Sequence, residues 1–138
     1  SLISLDLSVF DSSLACSTKS MFENCEQLEY LNIENFRGEE VIDMSTMFKG
    51  CKSLKSLNLE KFIGALEFIN EAFSNCINLE YINIPKISLG VVKSLYNLFS
   101  NCESLHSLDL SSFDTSLVTD FSYMFFGCKN LVSINFGN

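Results

Sequence analysis

The chain has 138 residues, 47% of them apolar, with 13 Phe, no Trp and a formal net charge of −8. That is one domain's worth of chain with enough apolar material for a sizeable core. Nine scattered basic residues argue against a nucleic-acid interface, which needs clustered Lys and Arg; no apolar run approaches the roughly 18 residues of a membrane span, and no signal peptide is visible.

The chain opens on a partial unit, SLISLDLSVF, and then repeats itself. The copies are MFENCEQLEYLNIENF from Met21, MFKGCKSLKSLNLEKF from Met47, AFSNCINLEYINIPKI from Ala72, LFSNCESLHSLDLSSF from Leu98 and MFFGCKNLVSINFGN from Met124. Cys25, Cys51, Cys76, Cys102 and Cys128 keep a period of 25 or 26 residues. A fixed period in this range marks stacked units, none of which buries its apolar face alone.

Within the unit, Leu28, Leu31 and Ile33 alternate as in a short strand with one buried face. Phe36, a polar connection over 37–40 and Val41 follow. Met44, Met47, Phe48 and Cys51 then fall at i, i+3, i+4 and i+7, which predicts a short helix. Its equivalents are Thr18, Met21, Phe22 and Cys25; Ile69, Ala72, Phe73 and Cys76; Leu95, Leu98, Phe99 and Cys102; and Phe121, Met124, Phe125 and Cys128. Ser17, Asp43, Ser94 and Asp120 precede these stripes and are suited to accept the first free N–H groups; the third unit has Phe68 there. The residue before each cysteine is Asn24, Gly50, Asn75, Asn101 or Gly127, the two residue types that tolerate left-handed backbone at a helix end. The third unit is a residue shorter between Phe62 and Ala72, and its strand runs into Pro85, which donates no ladder hydrogen bond; weakening or a bend is expected there.

Five of the six cysteines share one repeat position and read as a column of buried free thiols, favoured over disulfides because equivalent side chains in a stack point the same way. No Cys or His pair has zinc spacing. Phe10, Phe36, Phe62 and Phe113, with Ile87 substituting, form one aromatic column; Phe22, Phe48, Phe73, Phe99 and Phe125 form another. Both read as core.

Strand, turn and short helix in 25 or 26 residues with L-x-x-L-x-L resembles leucine-rich repeats. The M-F-x-x-C-x-x-L-x-x-L-x-L-S-x-F-D-T-S-x-V-T-D pattern, best matched by LDLSSFDTSLVTDFSYMFFGC over 108–128, is similar to the BspA-like repeats of bacterial and protist surface proteins. AFSNCINLEYINIP over 72–85 is similar to their A-F-x-x-C variant. Where ordinary leucine-rich repeats carry Asn or Cys after the strand, this chain carries Phe, so an aromatic spine is expected in place of an asparagine ladder. The resemblance implies an extracellular or cell-surface recognition module linked to adhesion, and no catalytic set.

The position between the strand's last two apolar residues is Asp6, Asn32, Asn58, Asn83, Asp109 and Asn135. Alternation points all six away from the core as a polar stripe. Either stacked amides bond to one another, or the stripe binds a polar ligand such as a glycan or a peptide backbone; calcium is disfavoured because the aspartates never sit on adjacent rungs. Beside it lie Tyr30 and Tyr81, with serines at the same position in other units, and His106 further out. Exposed Tyr beside amides is binding-loop chemistry. His106 has no placed acid or nucleophile, so no hydrolase site forms around it.

The expected architecture is a single α/β domain over 1–138. It is a right-handed leucine-rich-repeat solenoid of about five repeats, with a parallel β-sheet on one face and short helices on the other. Further repeats or caps are expected to flank it; failing that, end-to-end self-association follows from its open apolar ends. The expected function is recognition of a protein or glycan through the sheet face. The candidate contacts are Tyr30, Asn32, Asn58, Tyr81, Asn83, His106 and Asp109. No catalysis, cofactor, metal, nucleic acid or membrane insertion is expected. A purely structural spacer in a longer stalk is the rival reading, and a monotonous sheet face would favour it.

Overall fold

A computed structural model describes residues 2–84 and 87–137. Six three-residue strands follow one another: β1 (Ser4–Asp6), β2 (Tyr30–Asn32), β3 (Ser56–Asn58), β4 (Tyr81–Asn83), β5 (Ser107–Asp109) and β6 (Ser133–Asn135). Each of the first five begins a rung that ends at the next cysteine of the column. The central residue of every strand points inward and its neighbours outward, as the alternation requires. The strands are parallel, in register one repeat apart: Leu5 opposite Leu31, Leu57 opposite Ile82, and Leu108 opposite Ile134.

The expected single sheet is divided. It consists of three two-stranded ladders, β1-β2, β3-β4 and β5-β6. Leu7, Leu59 and Leu110 N–H donate to Asn32, Asn83 and Asn135 C=O across the closed pairs, at 2.8, 2.8 and 2.7 Å. The corresponding N–H groups of Ile33 and Ile84 have no such acceptor across β2/β3 and β4/β5 among the described residues.

The expected helices are not there: no helix occurs among the described residues. The stripe Met44, Met47, Phe48 and Cys51 lies on a chain of β-turns. Met47, Lys49 and Cys51 N–H donate three residues back, to Met44, Thr46 and Phe48 C=O at 3.1–3.2 Å. Between them, Thr46, Phe48 and Gly50 N–H donate to Asn70, Ala72 and Ser74 C=O of the next rung at 2.8–3.0 Å. Backbone donors divided in this way leave none for the i→i−4 bonds of an α-helix. Left-handed residues every four positions set the pattern, with φ 55° at Thr46 and 74° at Gly50. This is the conformation that the third residue of a type II turn requires. Ser20 and Asn24, Glu71 and Asn75, Asn97 and Asn101, and Tyr123 and Gly127 repeat it. The residues before the cysteines are therefore left-handed, but as turn corners. A four-residue period buries i, i+3, i+4 and i+7 as well as two helical turns do, which is why so short a stripe reads as helix.

Ser17, Asp43, Ser94 and Asp120 accept N–H groups, each from two residues ahead at 2.9–3.2 Å, as side-chain turns. Inside, Phe22, Phe48, Phe73, Phe99 and Phe125 stack with ring centroids 5.2–6.0 Å apart. Phe10, Phe36 and Phe62 stack at 6.3 Å. All six cysteines are free. Cys51, Cys76, Cys102 and Cys128 each donate Sγ–H to the carbonyl of a column Phe one rung back, at 3.0–3.2 Å. The weakening expected at Pro85 lies outside the described residues.

Candidate binding surface

Strand alternation places the candidate residues on the outer face of the ladders, and the divided sheet sorts them. Where two ladders meet, the face dips into a groove. The first, about 240 Å³, lies between β2 and β3 and is lined by Tyr30, Asn32, Glu34, Ser56 and Asn58 among others. The second, about 330 Å³, lies between β4 and β5 and is lined by Tyr81, Asn83, Ser107, Asp109 and Ser111 among others. The two are the same constellation two rungs apart: Tyr and Asn on one wall, Ser and Asn or Asp on the other. Tyr30 and Tyr81 stand out from it, 54% and 59% exposed. Six of the seven sequence-derived candidates fall into these two clusters. His106 lines neither groove; its ring Nδ1 lies 2.8 Å from Ser104 C=O.

The polar stripe has a structural task as well. Asn83 Nδ2 donates to Asn58 Oδ1 at 3.0 Å, and Asn135 Nδ2 to Asp109 Oδ1 at 3.3 Å. Each of these bonds spans a closed ladder. The same side chains close the turn after five of the six strands. Ser8, Glu34, Glu60, Ser111 and Gly137 N–H donate to Asp6, Asn32, Asn58, Asp109 and Asn135 Oδ1 at 2.8–3.1 Å. Asx-turn geometry explains why only Asn and Asp occur in this column. The hydrogen bonds from Ser8 to Asp6, and from Ser111 and Asn135 to Asp109, hold both carboxyls below the usual carboxylate range. Both side chains are therefore anionic acceptors at neutral pH. Amide protons and lone pairs that these bonds do not use remain for a ligand, beside the phenol groups.

The opposite wall is differently charged. Lys49, Lys52 and Lys129 pair there with Glu71, Glu26 and Glu103 of adjacent rungs. The two exposed pairs, Lys52–Glu26 and Lys129–Glu103, contribute little stability, but all three neutralise charge. No described helix is long and apolar enough to cross a membrane.

The serines opposite the tyrosines were missed as site residues. The signal was the alternation Ser4, Tyr30, Ser56, Tyr81, Ser107 and Ser133, but its meaning depends on knowing which rungs separate.

Comparison with known proteins gives one family match. The family described as BspA type leucine-rich repeat region matches in six copies, over residues 2–105 and 40–138. A crystal structure of a leucine-rich repeat protein from Bacteroides ovatus is similar to this chain at 26% identity, with a TM-score of 0.49. The match covers 98% of this chain and 41% of that one. No curated protein matches the chain.

Proposed function

The chain belongs to the BspA type leucine-rich repeat family, and from that premise we propose that it is an extracellular or cell-surface recognition module that binds protein or glycan through its sheet face. The observation that carries the reading is the recurrence of one groove two rungs apart, each offering a rigid exposed Tyr, amide groups and a hydroxyl. Tyr provides contact area at small conformational-entropy cost, and Asn and Ser provide adaptable hydrogen bonds. A ligand with a repeating unit, such as an oligosaccharide or an extended peptide, engages both grooves at once and gains from the linkage. The acidic net charge favours basic or neutral partners.

The spacer reading has one observation in its favour: the Asn and Asp column already serves the fold. The tyrosines are different, because serine occupies their position on four rungs and no fold element needs the ring. The test is a screen of the chain on glycan and peptide arrays, repeated with the Tyr30→Ser, Tyr81→Ser double variant. Recognition predicts that retained ligands lose at least about tenfold in affinity, some 1.4 kcal/mol, at unchanged melting temperature. Ligands bound equally by both proteins, or no ligand on either array, would support the spacer.

A further inference from the structure

The side wall that leads from each Phe36-type position into the turns is stitched by one recurring set of backbone bonds. Ile42 N–H donates to Cys16 C=O, and Thr18 N–H to Asp43 C=O, at 3.1 and 2.9 Å. Glu67 N–H donates to Ile42 C=O, and Met44 N–H to Phe68 C=O, at 2.8 and 2.9 Å. Thr119 N–H donates to Lys93 C=O, and Leu95 N–H to Asp120 C=O, at 2.9 and 2.8 Å. Between the third and fourth rungs the set is missing. Among the described residues, Lys93 N–H does not reach Glu67 C=O and Ile69 N–H does not reach Ser94 C=O, and none of the four groups has another partner. The rungs are joined again on either side, by Leu66 N–H to Ser88 C=O at 3.1 Å and by Glu71 N–H to Tyr96 C=O at 3.0 Å. Between those bonds the third rung runs over 67–70 and the fourth over 89–95. The longer stretch therefore arches away from the shorter one. This is where the third repeat lacks a residue.

The gap is a cavity. It measures about 440 Å³ and is lined by Glu67, Phe68 and Asn70 from one rung and Val91, Lys93 and Ser94 from the other. Its volume is that of a small-ligand pocket. Asn70 Oδ1 is the one buried side-chain oxygen or nitrogen without a partner among the described residues. The rim is apolar, with Phe68 and Val91 half exposed, at 50% and 54%. Phe68 replaces the Ser or Asp of the other rungs, so the turn beyond it also loses its side-chain acceptor.

We propose that this cleft binds a short extended peptide segment of another protein. Unpaired main-chain groups of both rungs border it: Glu67 C=O belongs to one lining residue, and Lys93 N–H and Ser94 C=O to two on the other side. An extended main chain carries N–H and C=O groups in the complementary alternation, which is the chemistry of strand addition. A peptide or side-chain amide N–H of the segment meets Asn70 Oδ1, and an apolar side chain lies between Phe68 and Val91. Lys93 and Glu67 balance one another in charge, so the pocket selects for main chain and apolar contact. This site is on a different wall from the sheet-face grooves and stands or falls independently of them.

The test is a titration of the ¹⁵N-labelled chain with acetyl-Ala-Leu-Ala-amide, and in parallel with N-acetylglucosamine. The expected result is a saturable shift of the Ile69 and Lys93 amides and the Asn70 side-chain amide, with a Kd on the order of 1 mM for so short a probe, and no shift at Tyr30 or Tyr81. Val91→Trp, which fills the cleft from a half-exposed position, should abolish the shifts while the resonances of β1 and β2 stay in place. Asn70→Leu should weaken binding at least about tenfold. Three results would overturn the proposal: no shift with the peptide, equal shifts in Val91→Trp, or shifts produced by the sugar alone.

Discussion

Thr46 holds a β-branched side chain on left-handed backbone, φ 55°, at a position where the other rungs carry Ser20, Glu71, Asn97 and Tyr123. Asn tolerates that conformation because its short polar side chain hydrogen-bonds locally. Thr46→Asn should therefore raise stability by about 1 kcal/mol, read as a higher midpoint in urea. Four residues on, Gly50 has φ 74°, and a Cβ there would meet the Asn24 side-chain oxygen at 2.5 Å. Gly50→Val should cost about 1–2 kcal/mol. Gly50→Asn should be tolerated, because the end of Asn24 can turn aside, as Asn101 stacks on Asn75 through a 3.0 Å bond. Equal melting temperatures for the two variants would contradict the turn assignment. The thiols make a third residue-scale case. Burial pushes the Cys51 thiol up to about 12 and raises Cys76, Cys102 and Cys128 above their ordinary value of 9.0. Cys16 is exposed. A thiol reagent should modify Cys16 at once and the buried Cys51, Cys76 and Cys102 only on unfolding, resolved by mass spectrometry of the labelled peptides. A raised pKa stabilises the fold fully below the unfolded value. That contribution should be lost as pH climbs from about 9 toward 12.

At the scale of elements, the turns depend on side-chain acceptors. Hydrogen bonds from Ser13, Ser116 and Ser122 lower the carboxyls of Asp11, Asp114 and Asp120, as the strand-end bonds do for Asp6 and Asp109. A depressed carboxyl stabilises the fold above its unfolded pKa near 3.8, and the contribution disappears as pH falls through the lower folded values. The melting temperature should therefore fall as pH drops below about 4. Asp120→Asn, which keeps the carbonyl acceptor and removes the titration, should make that drop shallower. The Phe column is the apolar counterpart: Phe73→Ala, in its middle, should cost about 3–5 kcal/mol, measured by denaturant unfolding. Much of this level was legible. The strands, both Phe columns, the thiol column and the left-handed residues before the cysteines follow from side-chain type at fixed offsets. The wall opposite the sheet was misread because periods of 3.6 and 4 coincide over eight residues. The second left-handed column escaped because Ser, Thr, Glu, Asn and Tyr share no chemistry. The outward face of Tyr30, Asn32, Asn58, Tyr81, Asn83 and Asp109 was legible from alternation. Its grooves were not, because nothing in one repeat says which neighbours will hydrogen-bond.

For the whole molecule, the proposed binding sites fall where stacking is incomplete. The rungs are stitched by backbone bonds, Phe stacks and thiol–carbonyl contacts. The bonds lapse at β2/β3 and β4/β5 on the sheet face, and between the third and fourth rungs on the side wall. Each lapse opens a concave site with polar groups at its edge. Amide hydrogen exchange of the intact chain, resolved by residue, tests this most directly. The prediction is slow exchange at Leu7, Leu59 and Leu110, and at Met44, Glu67, Leu95 and Thr119 on the wall. Ile33, Ile84, Ile69 and Lys93 should exchange at least about tenfold faster although their rungs are equally packed. Uniform protection along both columns would mean continuous ladders and no grooves, and would contradict the account.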